Sequence, residues 1–372
     1  MKYTKKMRML NAYKGIFSDR YPVAPEFWYY YPAKVLGISM IEFEREIPFW
    51  KSLNYVFEKY DCEGWGISFP HIQNENKEVL TKMDGYEEIT SINYNGKKFE
   101  SKKMFSKDEP SWVTKYLAED LSDLSYVIDM MLDEKNTVDF KLASEEHTNV
   151  GESYLLEWWL GVPFFDFIAE LTGFEQAVIY FMEEDEDVLK KYRDRYTQYQ
   201  KNLIRQVSQN TPFESFNIGC SYSCNSLIGP NMWRKWDKPY LKEIADEVHK
   251  CNKLLHIHFH GRSIETAEDF KEIGIDCVCP FERPPGGDIV GLEGLKYVRE
   301  KLGGKVTMNG NVHTVETLIR GNVQDVKREV REIKEAFDGE PRLIIGTGDQ
   351  VGVETPEENI LAMIDEAKLC NE

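Results

Sequence analysis

Three histidines at alternate positions, 256, 258 and 260, carry the strongest chemical signal in this sequence, and a fourth stands nearby at 249. Alternate residues of a strand share a face. A strand through Lys253-Leu-Leu-His-Ile-His-Phe259 therefore sets all three imidazoles on one side. A single buried histidine is usually a hydrogen-bonded core residue, but three on one face all need partners. Neutral imidazole suits Zn, Fe, Ni or Cu. Glu282 closes the next apolar run, Cys277-Val-Cys-Pro-Phe281, which in a parallel pair lies roughly 5 Å away. Two imidazoles and one carboxylate leave a tetrahedral zinc one open position, the pattern of a catalytic site. His258, His260 and Glu282 are the expected ligands, and His256, deepest in the strand, the expected bystander.

Other apolar runs also end in polar residues. Ser215-Phe-Asn-Ile-Gly-Cys220 leads to Ser221, Val306-Thr-Met308 to Asn309-Gly-Asn311, and Leu343-Ile-Ile345 to Gly346-Thr-Gly-Asp349. Asp349 reads either as a site carboxylate or as a loop or helix-capping group. Cys220 and Cys224 are possible soft ligands, though free cysteine is more often a small core residue, as expected of Cys277 and Cys279. Trp158-Trp159 and Phe164-Phe165 either line a pocket for a flat apolar ligand or pack helices on the sheet.

The elements that must position these groups alternate. Helical stretches at 185–209, 231–252, 263–273, 291–302, 322–338 and 356–370 separate the five apolar runs. Strands alternating with helices mean βα units and a parallel sheet. Five consecutive units, with no GxGxxG after any of them, favour a TIM-like (β/α)8 barrel over a dinucleotide-binding sheet. In such a barrel, reactive groups gather at the C-terminal strand ends. The last helix is expected to start with a capping box, Thr355 as N-cap, Pro356 at N1 and Glu358 at N3. Residues 1–150 read as an N-terminal part of the same single domain, 1–372. It has one or two helices over 33–59, a strand at Gly64–Phe69, and a hairpin at 86–105 turning on Asn95-Gly96. Helical periodicity returns over 110–133.

Composition narrows the function. The 372 residues carry 46 Lys plus Arg against 64 Asp plus Glu, a net charge of −18, which disfavours nucleic acid. Hydrophobic content of 42% suffices for a large core. No apolar run approaches a membrane span of roughly 18 residues. The seven cysteines (62, 220, 224, 251, 277, 279, 370) form no CxxC pair. No apolar stretch follows the basic start, so reduced thiols in a cytoplasmic protein are expected.

The chain resembles the uroporphyrinogen decarboxylase superfamily, in particular its cobalamin-dependent methyltransferase branch, over roughly residues 20 to 370. The matching pieces are Pro22-Val-Ala-Pro25, Ile228-Gly-Pro230, Glu282-Arg-Pro-Pro-Gly-Gly-Asp288 and Met308-Asn-Gly-Asn-Val312. Gly348-Asp349 with Thr355-Pro-Glu-Glu-Asn359 completes the set and is the most specific. In that branch the strand before Gly261 carries a His-x-Cys zinc pair, and a further Cys sits where Asp349 falls. A related zinc site, in cobalamin-independent methionine synthases, has a Glu placed like Glu282. Here both thiolates are replaced, by His260 and Asp349. The resemblance implies zinc held by His258, His260, Glu282 and Asp349, with Glu282 and Asp349 also serving in catalysis. A harder, more Lewis-acidic site suits an oxygen or amine leaving group better than a thiol acceptor.

The implied activity is methyl transfer from a small methylated substrate, a methyl ether or methylamine, to cobalamin carried by a separate corrinoid protein. The chain lacks the Asp-x-His-x-x-Gly signature of corrinoid binding. The alternatives are a decarboxylase of the same fold and a non-catalytic module that docks a corrinoid protein. Uroporphyrinogen itself is a poor expected substrate, because residues 25–34, Pro-Glu-Phe-Trp-Tyr-Tyr-Tyr-Pro-Ala-Lys, contain no arginine to grip its carboxylates.

Overall fold

A computed structural model describes residues 3–369; Cys370 lies outside them. Eight parallel strands form one sheet: β1 (Val23–Ala24), β2 (Trp65–Ser68), β3 (Leu155–Gly161), β4 (Ser215–Cys220), β5 (Leu254–Phe259), β6 (Cys277–Pro280), β7 (Thr307–Val312) and β8 (Leu343–Thr347). Each from β2 to β8 pairs with its neighbour in sequence, and β8 pairs with β1. This is the cyclic order of a TIM-like (β/α)8 barrel. Between β1 and β2 a buried carboxylate bridges the gap. Glu63, just before β2, accepts the Val23 N–H at 3.0 Å and pairs with Arg8 and Arg20.

Helices Glu186–Asn210, Gly229–Lys250, Ala267–Ile273, Gly291–Leu302, Val323–Ala336 and Glu357–Lys368 fall where the periodicity sets them. Their apolar faces and the outward residues of the strands, such as Leu255, Ile257 and Phe259, form the main core. A second cluster fills the barrel itself, with Trp65, Ile67, Leu155, Cys277, Cys279 and Ile344. The N-terminal helix Lys5–Lys14 closes the bottom. Its Ala12 carbonyl accepts from Thr307 Oγ1 at 2.7 Å, and the Tyr13 hydroxyl contacts His256 Nδ1 at 3.0 Å. All six described cysteines are free thiols. Among the described residues no helix is long and apolar enough to cross a membrane.

The additions before residue 150 differ from the sequence reading in detail. The stretch 33–59 is three helices, Tyr30–Leu36, Met40–Glu46 and Phe49–Lys59. The Asn95-Gly96 hairpin is present between Glu87–Tyr94 and Lys97–Met104, both turn residues having positive φ. It belongs to a four-stranded antiparallel sheet with Lys77–Asp84 and Trp112–Lys115. Helix over 110–133 is thereby corrected: the first part is a strand, and the helix starts at Leu121 behind an Asp120 cap. The capping box at Thr355 is also corrected. The last helix begins at Glu357 without a side-chain cap, and Thr355 Oγ1 is buried without a hydrogen-bond partner.

Candidate functional site

Strand alternation directs Leu255, Ile257 and Phe259 outward and the histidines of β5 inward. The three imidazoles do share the barrel side, but at different depths. His256 is fully buried. Its Nδ1 lies 2.7 Å from Glu157 Oε2 and 3.0 Å from Asn217 Nδ2, and its Nε2 lies 3.0 Å from Cys279 Sγ. It is a bonded core residue below the mouth. His258 is one step higher. Its Nδ1 touches the same Cys279 sulfur at 3.0 Å, and its Nε2 meets His260 Nε2 at 2.7 Å. His260, just past the strand, contacts Glu282 Oε1 through Nδ1 at 2.8 Å.

Glu282 lies two residues beyond β6, and its orientation is built in. Gly261 N–H donates to Glu282 Oε1 at 2.9 Å. The loop Glu282–Asp288 folds tightly back on the residue. A Cβ at Gly287 would stand 2.1 Å from the Glu282 carbonyl oxygen, and one at Gly286 2.3 Å from Oε2. Asp288 then accepts the N–H groups of Ser263 and Ile264, fastening this loop to the one after β5. Asp349, two residues past β8, completes a group with His260 and Glu282. One ligand atom from each lies within 4.8 Å of the other two.

A second group of the same closeness was not foreseen: Glu26, His258 and Cys279. Glu26 is 95% buried at the end of β1 (5% exposed), with Oε1 3.8 Å from His258 Nε2. Its N–H donates to Thr347 Oγ1 at 3.0 Å, and its carbonyl accepts from Val351 at 2.9 Å. The two residues of β1 are too few for a periodicity, so only the Pro-Glu after Val23-Ala24 marked the place. Cys279 is buried as a core reading requires, yet its sulfur joins two imidazoles. Cys220 and Cys224 lie in the outer core and in neither group. Trp158, Phe164 and Phe165 are also buried there. Trp158-Trp159 belong to β3, a strand the sequence reading did not recognise.

The electrostatics are those of an acidic, dehydrated pocket. Burial, with help from His260 and His256, pushes His258 well below its ordinary value and keeps it neutral. Burial also works against a charged His260, but the hydrogen bond to Glu282 and the charges of Asp349, Glu282 and Glu26 outweigh it, and the ring is pushed up to about 9. Burial raises Asp349, and it raises Glu26 well above the carboxylate range with Asp349 adding to the effect. Three carboxylates thus crowd around imidazoles, backbone N–H groups and each other. Nitrogen and oxygen donors converging in an acidic pocket fit a divalent metal such as zinc.

The sequence model of the uroporphyrinogen decarboxylase (URO-D) family matches residues 173–369, just over half the chain. The chain belongs to that family, which is one of enzymes. It is 27% identical over 150 residues to uroporphyrinogen decarboxylase 1, chloroplastic, of Oryza sativa subsp. japonica, covering 38% of this chain and 33% of the relative. It is 30% identical over 145 residues to uroporphyrinogen decarboxylase of Paraburkholderia phytofirmans, covering 37% of this chain and 36% of the relative. The match therefore spans about a third of the length of these curated relatives. A solved methyltransferase from Methanosarcina mazei superposes over 98% of both chains, with TM-score 0.66 and 17% identity. At that identity the likeness is one of fold.

Proposed function

We propose that this member of the uroporphyrinogen decarboxylase family is a zinc-dependent methyltransferase that moves a methyl group from a small methylated substrate, a methyl ether or methylamine, to a separate corrinoid protein. The observation that carries the reading is the convergence of His260, Glu282 and Asp349 at the C-terminal ends of β5, β6 and β8, with His258 Nε2 standing 2.7 Å from His260 Nε2. These four residues would hold the ion. Bound there, zinc supplies Lewis acidity toward the heteroatom that loses its methyl group.

The chain's own residues do the rest. Burial keeps His258 neutral and so available as a ligand. Glu282 and Gly261 fix His260 and the loop that carries the carboxylate. Asp349, held toward its protonated form by burial, serves as the fourth ligand or as proton donor to the departing heteroatom. Around the same mouth the loops after β4, β6, β7 and β8 each present an exposed apolar side chain, Leu227, Val290, Val315 and Val353. Such a rim suits a transient protein partner.

The same geometry disfavours porphyrinogen decarboxylation. The segment after β1 offers the mouth a buried carboxylate, Glu26, and an indole, Trp28, stacked on His258 with ring centroids 6.2 Å apart. Neither is a partner for a polycarboxylate. The test mixes the zinc-loaded protein with reduced corrinoid proteins of the same organism and a panel of methyl ethers and methylamines. Conversion of cob(I)alamin to methylcobalamin is followed by absorbance. The expected result is turnover with at least one donor; no methylcobalamin from any donor, with the metal in place, defeats the proposal.

A further inference from the structure

Beside the histidines lies a cavity of about 730 Å³, between the segment after β1 and the end of β2. Its walls are aromatic: Trp28, Tyr29, Phe43, Phe49, Trp50 and Phe69. Its charged residues are Glu44, Glu46, Glu145 and Glu146 against Arg45 and Lys103, four negative and two positive, a net −2. Arg45 is engaged by the antiparallel sheet, while Lys103, a residue of that sheet, stands 3.9 Å from Glu44 and offsets it, and Glu145 stands 3.9 Å from Lys141 at the surface. Arg45 pairs with Glu88 at 2.5 Å and lies over the Phe105 ring, and Lys103 lies over the same ring.

Aromatic faces are negative at their centres, and a cavity that combines them with carboxylates favours an organic cation. A hydrated inorganic ion would prefer an all-oxygen cage, and a neutral ether gains nothing from the carboxylates. The net charge of −18 draws cations to the molecule in general. Trp28 is a shared wall: it lines the cavity, and its ring stacks on His258 at an interplanar angle of 5°.

We propose that this cavity binds an alkylated ammonium compound, and that this is the class of the methyl donor. The second half rests on the methyl-transfer reading; the first does not. Calorimetry on metal-free protein compares choline with 3,3-dimethyl-1-butanol, its neutral isostere. Choline is expected to bind at least tenfold more tightly. Its binding should weaken several-fold in the Glu46→Gln/Glu145→Gln double variant and in Phe69→Leu, all three being exposed positions whose replacement spares the fold. Equal affinity for the two compounds, no binding of either, or choline binding unchanged by both sets of substitutions overturns the site. For the donor half, transfer from an aryl ether but from no ammonium compound overturns the assignment and leaves methyl transfer standing. Transfer from no donor of any class defeats the methyl-transfer reading itself, while choline binding would still stand.

Discussion

At the scale of single residues, the proposed zinc would compete with a proton for His260. In the metal-free protein Glu282 and its acidic neighbours hold His260 protonated up to about 9. A metal needs the neutral ring, so uptake at neutral pH must expel that proton. Zinc affinity is therefore expected to climb as pH rises from about 7 toward 9, by up to about tenfold per pH unit for one proton, and to level off above it. A competition titration against a chelating dye checks this; an affinity flat across that window would mean His260 is not a ligand. His258→Ala and Glu282→Ala should each lose stoichiometric zinc on dialysis, because too few donors remain; metal content by mass spectrometry decides. The His-x-His spacing and the Glu282 position were legible because strand alternation is local. Glu26 and the bridging role of Cys279 were not. They depend on β6 lying beside β5 and on the end of β1 reaching His258 across the barrel, which no local pattern encodes.

At the scale of elements, legibility followed periodicity. Six barrel strands, β2 and β4 to β8, and the six later helices stood out because apolar runs and helical faces alternate with turns. Leu155–Gly161 escaped notice because Leu-Leu-Glu-Trp-Trp-Leu is apolar on both faces and shows no period of two. Lys77–Asp84 escaped because it is almost wholly exposed and reads as polar loop. The contacts that join elements were equally invisible. Asp237, in the helix after β4, accepts Phe165 N–H at 2.9 Å and Ser223 Oγ at 2.6 Å, tying two helices to the loop after β4. Burial pushes its carboxyl up to about 6, against an unfolded value near 3.8. Between these values the folded state binds more protons, so stability falls as pH rises through that window and is flat above it. Asp237→Asn keeps an acceptor for Phe165 but buries no charge. It should reduce the difference in melting temperature between pH 4 and pH 6.5, an effect worth at most ~3 kcal/mol. An unchanged difference would show that Asp237 is not the group responsible.

At the scale of the whole molecule, a barrel closed below by its first helix leaves its chemistry at one mouth. That mouth offers carboxylates, imidazoles and an apolar rim, so uroporphyrinogen is expected to be turned over at no more than a weak background rate, measured by loss of substrate with product separation. Decarboxylation at the rate of an ordinary enzyme would reverse the assignment. The most direct test of the account titrates zinc into metal-free protein in the presence of reduced corrinoid protein and an accepted donor, and follows the rate of methylcobalamin formation. The predicted result is no rate without metal, a rise that saturates at one zinc per chain, and no response from Glu282→Ala. Full activity in the metal-free protein, or an equal response from the Glu282→Ala variant, would contradict it.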